Sequence, residues 1–150
     1  MSRARGRVRE TTARRVLIDA SVAVPWFAAE PGTNDALRLL RSPLSLLAPD
    51  FMAIEAANAL WKKSRRGDVA SSDVLDALST LRTVGIQWLD TAPAIASAAR
   101  LALEIGHPVY DCLYLVLAQA HDLPLATFDD RLRRAAGLWR IAVFPMKGRA

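Results

Sequence analysis

The feature that most constrains the fold is a short apolar run that ends in a carboxylate. Val16, Leu17 and Ile18 are consecutive apolar residues, two of them β-branched, and Asp19 follows directly. Such a run predicts a strand, at about residues 15–19, that is buried on both faces as in a parallel sheet. Ligands of open α/β sheets bind at the carboxyl ends of the strands, so Asp19 is a candidate site residue. Because an aspartate has no packing role there, we interpret it as one ligand of a cation.

The predicted strands alternate with predicted helices along the chain, which is typical of a parallel sheet with helices on both faces. Apolar runs predict strands at about 15–19, 44–48, 85–89, 123–127 and 140–144. Helical periodicity predicts helices at about 33–41, 51–65, 71–82, 92–105 and 108–121, and a short basic one that ends at 136. We therefore predict an α/β protein with three α/β/α layers around a central, mostly parallel sheet of four to five strands.

Several acidic or hydroxyl residues precede these helices and are interpreted as helix caps, namely Thr33 or Asn34, Asp50, Asp73 and Asp90. A side-chain oxygen at that position accepts a hydrogen bond from a free backbone N–H of the first turn.

The net charge of +5 comes from the start of the chain, because residues 1–15 hold six arginines and one glutamate. The other 135 residues carry 14 basic and 14 acidic side chains and are neutral overall. Residues 1–13 show no periodicity and are predicted to be a disordered Arg-rich arm, followed by one folded domain over 14–147. The arm is a solvated segment or helps to hold nucleic acid, unless the true start of the protein lies downstream.

Composition excludes several classes of protein. With Cys112 as the one cysteine no internal disulfide can form, which fits the reducing cytoplasm. His107 and His121 are the only histidines, so a Cys/His zinc site is not expected. No apolar run approaches the roughly 18 residues of a membrane span, and no apolar segment follows the first arginines as in a secretory signal. We expect a cytoplasmic protein without a membrane segment.

Four carboxylates occupy positions where carboxylates are not expected. Asp19 ends a buried strand, and Glu55 interrupts an apolar helix face. Asp111 lies in the first turn of a helix that is apolar nearly all the way round, and Asp129 follows a predicted strand. Because burying unpaired carboxylates is costly, we expect the four acids to converge on Mg²⁺ or Mn²⁺, which prefer oxygen ligands.

Each acid also has a structural interpretation. Asp19 is a candidate cap of the next helix, and Glu55 a candidate partner of a nearby arginine. Asp111 is favoured by the dipole of its own helix, and Asp129 is a candidate helix cap. Asp130 competes with Asp129 for both the capping and the metal-binding role.

Polar residues near these acids are candidates for supporting roles. Ser21 and Thr127 are turn hydroxyls or hold a water or ligand, and Asn58 orients Glu55 or fills a polar pocket. A cluster of acids repels polyanions, so a nucleic-acid ligand would require flanking cations that contact its phosphates. The candidates, each of which is otherwise a solvated residue at a helix end, are Lys62, Lys63, Arg65, Arg66, Arg131, Arg133 and Arg134. Trp61, Cys112 and Tyr114 are interpreted as core or partner contacts, and the histidines have no convincing partner.

Four motifs, in order and spacing over about residues 15–145, resemble those of PIN-domain ribonucleases, and more narrowly of VapC-type toxins of type II toxin–antitoxin pairs. They are LIDAS, PDFMAIEAANAL, YDCLYLVLA and LATFDDRL. The family carries its acids at the positions matched here by Asp19, Glu55, Asp111 and Asp129. Asp129 is matched because the family's T-x-D-x-x-L pattern is met by Thr127, Asp129 and Leu132.

The resemblance implies a PIN-like nuclease domain at 14–147 and RNA cleavage that depends on Mg²⁺ or Mn²⁺. It also implies a homodimer and inhibition by a VapB-type antitoxin. An ion held by the four acids would activate the attacking water, with Asp19 and Asp111 as direct ligands and Glu55 and Asp129 bound directly or through water. The alternatives are a housekeeping RNA-processing PIN nuclease and a non-catalytic RNA- or protein-binding module. A receiver-like, phosphoryl-accepting domain would need a lysine after a late strand to pair with the phosphoryl group. It is disfavoured because the only late lysine is Lys147, too near the end of the chain.

Overall fold

A computed structural model describes residues 14–146 of the chain. The predicted arm at 1–13 and the last residue of the predicted domain, Lys147, lie outside the described residues.

The centre of the fold is a four-stranded sheet in which every pair of neighbouring strands is parallel. The strands are β1 (Arg15–Ile18), β2 (Ser45–Pro49), β3 (Gln87–Leu89) and β4 (Leu125–Ala126), in the order β3-β2-β1-β4. β1 is therefore a central strand, as its continuous apolar run predicts, and Val16, Leu17 and Ile18 are fully buried.

The fifth predicted strand, at 140–144, is reduced to a single parallel bridge between Leu125 and Val143. Two backbone hydrogen bonds form it, from Leu125 N to Ala142 O and from Phe144 N to Leu125 O, both 2.8 Å. The apolar pattern of 140–144 therefore overstates the strand, since only Val143 is bridged to a residue of β4.

Seven α-helices of the described part flank the sheet and give the expected α/β/α layers. They are α1 (Ala20–Ala23), α2 (Thr33–Leu40), α3 (Met52–Arg65), α4 (Ser71–Leu81), α5 (Ile95–Ile105), α6 (Val109–His121) and α7 (Asp130–Leu138). Single 3-10 turns follow α1 at Val24–Trp26 and precede α5 at Ala92–Ala94. Helix α6 is buried on most sides, as predicted from its apolar composition, and it carries Asp111 into the interior.

Most of the predicted caps are wrong in detail. Helix α3 begins after Phe51, and the Asp50 carboxylate instead accepts a hydrogen bond of 2.6 Å from the Thr91 hydroxyl. Helix α2 begins after Gly32, whose φ of +95° suits glycine, and the Thr33 hydroxyl instead bonds to the backbone of Glu30. Asp73 lies inside the first turn of α4, which begins after Ala70, whereas the Asp90 carboxylate does accept a hydrogen bond of 3.0 Å from the N–H of Ala92.

Of the described helices, none by itself is long and apolar enough to cross a membrane. The segments Ala92–Ile105 and Val109–His121 reach that length and apolarity only together, across a bend of 114°.

Candidate active site

Asp19 follows β1 directly, at the carboxyl edge of the sheet, and only 6% of it is exposed. Both carboxylate oxygens accept short hydrogen bonds from hydroxyls. Ser21 Oγ donates to Oδ1 at 2.6 Å, and Thr127 Oγ1 donates to Oδ2 at 2.8 Å. The two hydroxyls therefore fix the orientation of a carboxylate that burial would otherwise leave unsolvated.

The same hydroxyls join the segments that follow β1 and β4. Thr127 is fully buried, and its Oγ1 accepts a hydrogen bond of 3.0 Å from the backbone N–H of Asp129. Ser21 Oγ accepts one of 2.8 Å from the N–H of Phe128, and the two hydroxyl oxygens lie 3.3 Å apart. Because β1 and β4 are parallel neighbours, residues 19–21 and 127–129 meet at one edge of the sheet.

Glu55, on α3, is held by a residue that the sequence did not single out for the site. The Tyr114 hydroxyl, on α6, donates a hydrogen bond of 2.6 Å to Glu55 Oε1, and Tyr114 is only 2% exposed. Phe51 packs edge-on against the Tyr114 ring. The interpretation of Tyr114 as a core residue is thus incomplete. Its position three residues after Asp111, and hence on the same helix face, is the signal that could have identified it.

Asp111 is buried in the first turn of α6, and its carboxylate is paired with Arg131 of α7. Arg131 Nε lies 2.9 Å from Oδ2 and Nη2 lies 3.3 Å from Oδ1. His107 Nδ1 lies 3.8 Å from Oδ2 and has no hydrogen-bond partner among the described residues. The sequence indicated no partner for His107 and predicted that Arg131 contacts a phosphate. In the structure, both side chains instead lie next to the Asp111 carboxylate.

Asp129 is the N-cap of α7, as its structural interpretation predicts. Its Oδ1 accepts hydrogen bonds from the backbone N–H groups of Arg131, at 2.8 Å, and Leu132, at 3.3 Å. Asp130 is exposed and lies 3.9 Å from Arg133. Of the two neighbouring acids, Asp129 is therefore the one connected to Asp19, through Thr127.

The four acids are close enough to perturb one another. Burial is the largest cause that raises the pKa of Asp19, from 3.8 to about 7, and the negative charges of Glu55 and Asp129 add to it. Burial also raises the pKa of Glu55, with further contributions from Asp111 and Asp129, while the hydrogen bond from Tyr114 lowers it. The charges of the four acids therefore act on one another, and their convergence on one cation stays a prediction.

The acids are not arranged around a single point. Among residues 14–146, no three side chains of His, Cys, Asp or Glu lie close enough together to hold a metal ion as they stand. Three of the acids instead have protein partners: Arg131 pairs with Asp111, the Tyr114 hydroxyl donates to Glu55, and Asp129 caps α7. The donor set itself, four carboxylates with one of them costly to ionise, has the oxygen chemistry that Mg²⁺ and Mn²⁺ prefer.

Several of the predicted phosphate-binding cations are engaged with protein groups. Lys63 Nζ lies 2.7 Å from Glu30, Arg66 Nε lies 3.2 Å from Asp68, and Arg133 donates to the carbonyl of Thr127. The remaining candidates are exposed, with the Arg65 guanidinium over the Trp61 ring at 5.8 Å; they are Lys62, Arg65 and Arg134. Trp61, interpreted as a core or partner residue, is 53% exposed.

Asn58 does not bond to Glu55 in the described contacts. It lies one helical turn further along α3, exposed, and with Glu55 it lines an open groove of about 460 Å³ whose other walls are Phe51, Ile54 and Tyr110. Glu55 is thus partly accessible to solvent through this groove.

Comparison with known proteins agrees with the motifs. The PIN domain family matches residues 16–138. Ribonuclease VapC3 of Pyrobaculum aerophilum is 30% identical over 120 residues, 79% of this chain and 92% of the relative. Ribonuclease VapC3 of Mycobacterium tuberculosis is 32% identical over 123 residues, 81% of this chain and 87% of the relative.

Solved structures show the same fold. The crystal structure of PAE2754 from Pyrobaculum aerophilum superposes with a TM-score of 0.63 at 26% identity, covering 83% of this chain and 81% of that one. A toxin–antitoxin complex from Klebsiella pneumoniae superposes with a TM-score of 0.54 at 21% identity, covering 76% and 86%. The chain therefore belongs to the PIN domain family, and within it to the VapC-type ribonucleases.

Proposed function

We propose that this VapC-type ribonuclease cleaves RNA internally with Asp19, Glu55, Asp111 and Asp129 as its metal-binding and catalytic acids, bound to Mg²⁺ or Mn²⁺. The observation that carries the proposal is the environment of Asp19, which follows β1 at the carboxyl edge of the sheet and whose pKa is raised to about 7 by burial and by the charges of Glu55 and Asp129. Mutually repelling acids in a partly buried site are stabilised by a divalent cation. PIN ribonucleases in general depend on divalent metals.

Asp19 and Asp111, the two most buried acids, would contact the ion directly, and Glu55 and Asp129 directly or through water. A bound divalent ion supplies Lewis acidity and a counter-charge for the reacting phosphate. Other residues orient these acids by hydrogen bonding. Ser21 and Thr127 donate to the Asp19 carboxylate, and Tyr114 donates to the Glu55 carboxylate.

Exposed basic side chains would attract the RNA, because the acids themselves repel its phosphates. Of the seven cations predicted to contact phosphates, Lys62, Arg65 and Arg134 are exposed and without an ion pair, so they are the best candidates of that set. Such contacts are sequence-independent and weaken with salt, so they place the backbone of the RNA without selecting bases.

The proposal is tested on a circular single-stranded RNA, which an exonuclease cannot attack. We expect the wild-type protein to linearise the circular RNA in the presence of Mg²⁺ or Mn²⁺. Cleavage should stop when a chelator is added. Asp129→Asn should lower the rate about tenfold to a hundredfold, because the amide keeps the helix cap but loses the charge. The matched control, Asp130→Asn, should stay within about twofold of wild type, since Asp130 is exposed.

Cleavage that persists in the chelator would contradict the metal-dependent mechanism. Equal loss in the two asparagine variants would contradict the assignment of Asp129 as the fourth acid. An intact circle beside trimmed linear RNA would favour an exonuclease, and binding without any cleavage would favour the non-catalytic alternative.

We further propose that the protein is the toxin of a VapBC-type pair, paired with a VapB-type antitoxin, and acts as a homodimer on RNA in the cytoplasm. The support is the name of the relatives and the similarity of fold to a chain in a toxin–antitoxin complex. A housekeeping RNA-processing nuclease of the same fold would need no such partner. Co-expression with the proposed VapB-type antitoxin should restore growth and give a complex whose mass shows two copies of this chain.

A further inference from the structure

The pairing of Asp111 with Arg131 joins a buried side chain to an exposed one. The Asp111 side chain is 8% exposed, in the first turn of α6, while 56% of the Arg131 side chain is exposed. Both guanidinium contacts are made to the carboxylate oxygens, Nε to Oδ2 and Nη2 to Oδ1. The guanidinium thus covers both oxygens of a carboxylate that cannot itself move into solvent.

Arg131 is placed against the preference of its own helix. It lies in the first turn of α7, where the helix dipole disfavours a positive charge and favours an acid such as Asp130. Its backbone N–H is held at 2.8 Å by the Asp129 cap, so the start of the side chain is fixed beside the acidic cluster. Among the described residues, Asp111 is the acid with which this arginine pairs.

We propose that Arg131 is an internal counter-ion, which neutralises Asp111 in the metal-free protein and leaves it when a divalent cation binds. The inference rests on the proposed function, because it assumes that Asp111 is a metal ligand. An unpaired buried carboxylate is costly, so the metal-free protein needs a cation there. The guanidinium and the metal would use the same two oxygens and therefore exclude each other.

Removing the guanidinium frees the Asp111 oxygens, and the exposed end of Arg131 can swing outward without unfolding α7. The freed Arg131 guanidinium then remains beside the acids, where it can contact a phosphate of the RNA. The sequence-based assignment of Arg131 to phosphate and its pairing with Asp111 would describe two states of the same residue.

The experiment measures Mn²⁺ binding to the full-length protein without RNA, by calorimetry, for wild type, Arg131→Gln and Arg134→Gln. We expect Arg131→Gln to bind Mn²⁺ about tenfold tighter, because no pair has to be broken first. Arg134→Gln removes an equal charge from the same helix and should stay within about twofold of wild type. Arg131→Lys keeps the charge but cannot bond to both carboxylate oxygens as the guanidinium does. Its affinity for Mn²⁺ should therefore lie between those of wild type and Arg131→Gln.

Melting curves give a second readout that does not depend on activity. Without metal, Arg131→Gln should have a lower melting temperature than wild type. With saturating Mn²⁺, the two melting temperatures should become equal. Unchanged or weaker Mn²⁺ binding in Arg131→Gln, or equal tightening in Arg134→Gln, would overturn the inference while leaving the proposed function standing. If wild type and all variants bind no Mn²⁺, the inference and the metal-dependent function are both overturned. If Arg131→Gln does not fold, Arg131→Lys decides: no gain over wild type overturns the inference.

Discussion

Replacing Asp19 with asparagine should raise the melting temperature of the metal-free protein and end RNA cleavage. Burial raises the pKa of Asp19 from 3.8 to about 7, so above neutral pH the fold carries an ionised carboxyl that it disfavours. That difference corresponds to roughly 4 kcal/mol in the free energy of ionising the group. Asparagine has nearly the same shape without the charge, and Ser21 and Thr127 can rotate their hydroxyls to bond with it.

We expect Asp19→Asn to melt about 5–10 °C higher than wild type at pH 8 in a chelator. Cleavage of circular RNA with Mg²⁺ should fall about a hundredfold or more, because a direct metal ligand is lost. The control is Asp130→Asn, which removes an exposed charge and should change neither quantity much. A variant that melts lower than wild type, or that still cleaves at the wild-type rate, would contradict the role given to Asp19.

The stability of the wild-type protein should fall as the pH rises from about 4 to about 7. A carboxyl whose pKa is higher in the folded than in the unfolded state binds more protons when folded, so each rise in pH within that window favours unfolding. Asp19 alone should lower the free energy of unfolding by up to about 4 kcal/mol across the window. The raised pKa of Glu55 acts in the same direction.

Urea unfolding at several pH values in a chelator, for wild type and Asp19→Asn, measures this effect. The difference between the two proteins should be small below pH 4, grow through the window, and be constant above about pH 8. Saturating Mg²⁺ should restore most of the lost stability in wild type and little of it in Asp19→Asn. A difference that does not change with pH would mean that Asp19 ionises as freely in the folded protein as in water.

The elements of this fold and the acids of its site could be read from local pattern. Three apolar residues before Asp19 predict a buried central strand, and the apolar helix 109–121 predicts that Asp111 enters the core. These predictions succeed because burial of a whole element shows in consecutive residues. The boundaries were less accurate, since the predicted strand at 140–144 proved to be a single bridge.

The partners of the acids were decided by tertiary structure. Tyr114 is 59 residues from Glu55, Arg131 is 20 from Asp111, and Thr127 is 108 from Asp19. Nothing local fixes such pairs, because each depends on how helices pack across the sheet and on which polar groups that packing deprives of water. The sequence by itself determined that Asp19 ends a buried strand and that Asp111 lies in a buried helix, while only the packed structure decided which hydroxyl, phenol or guanidinium bonds to each acid.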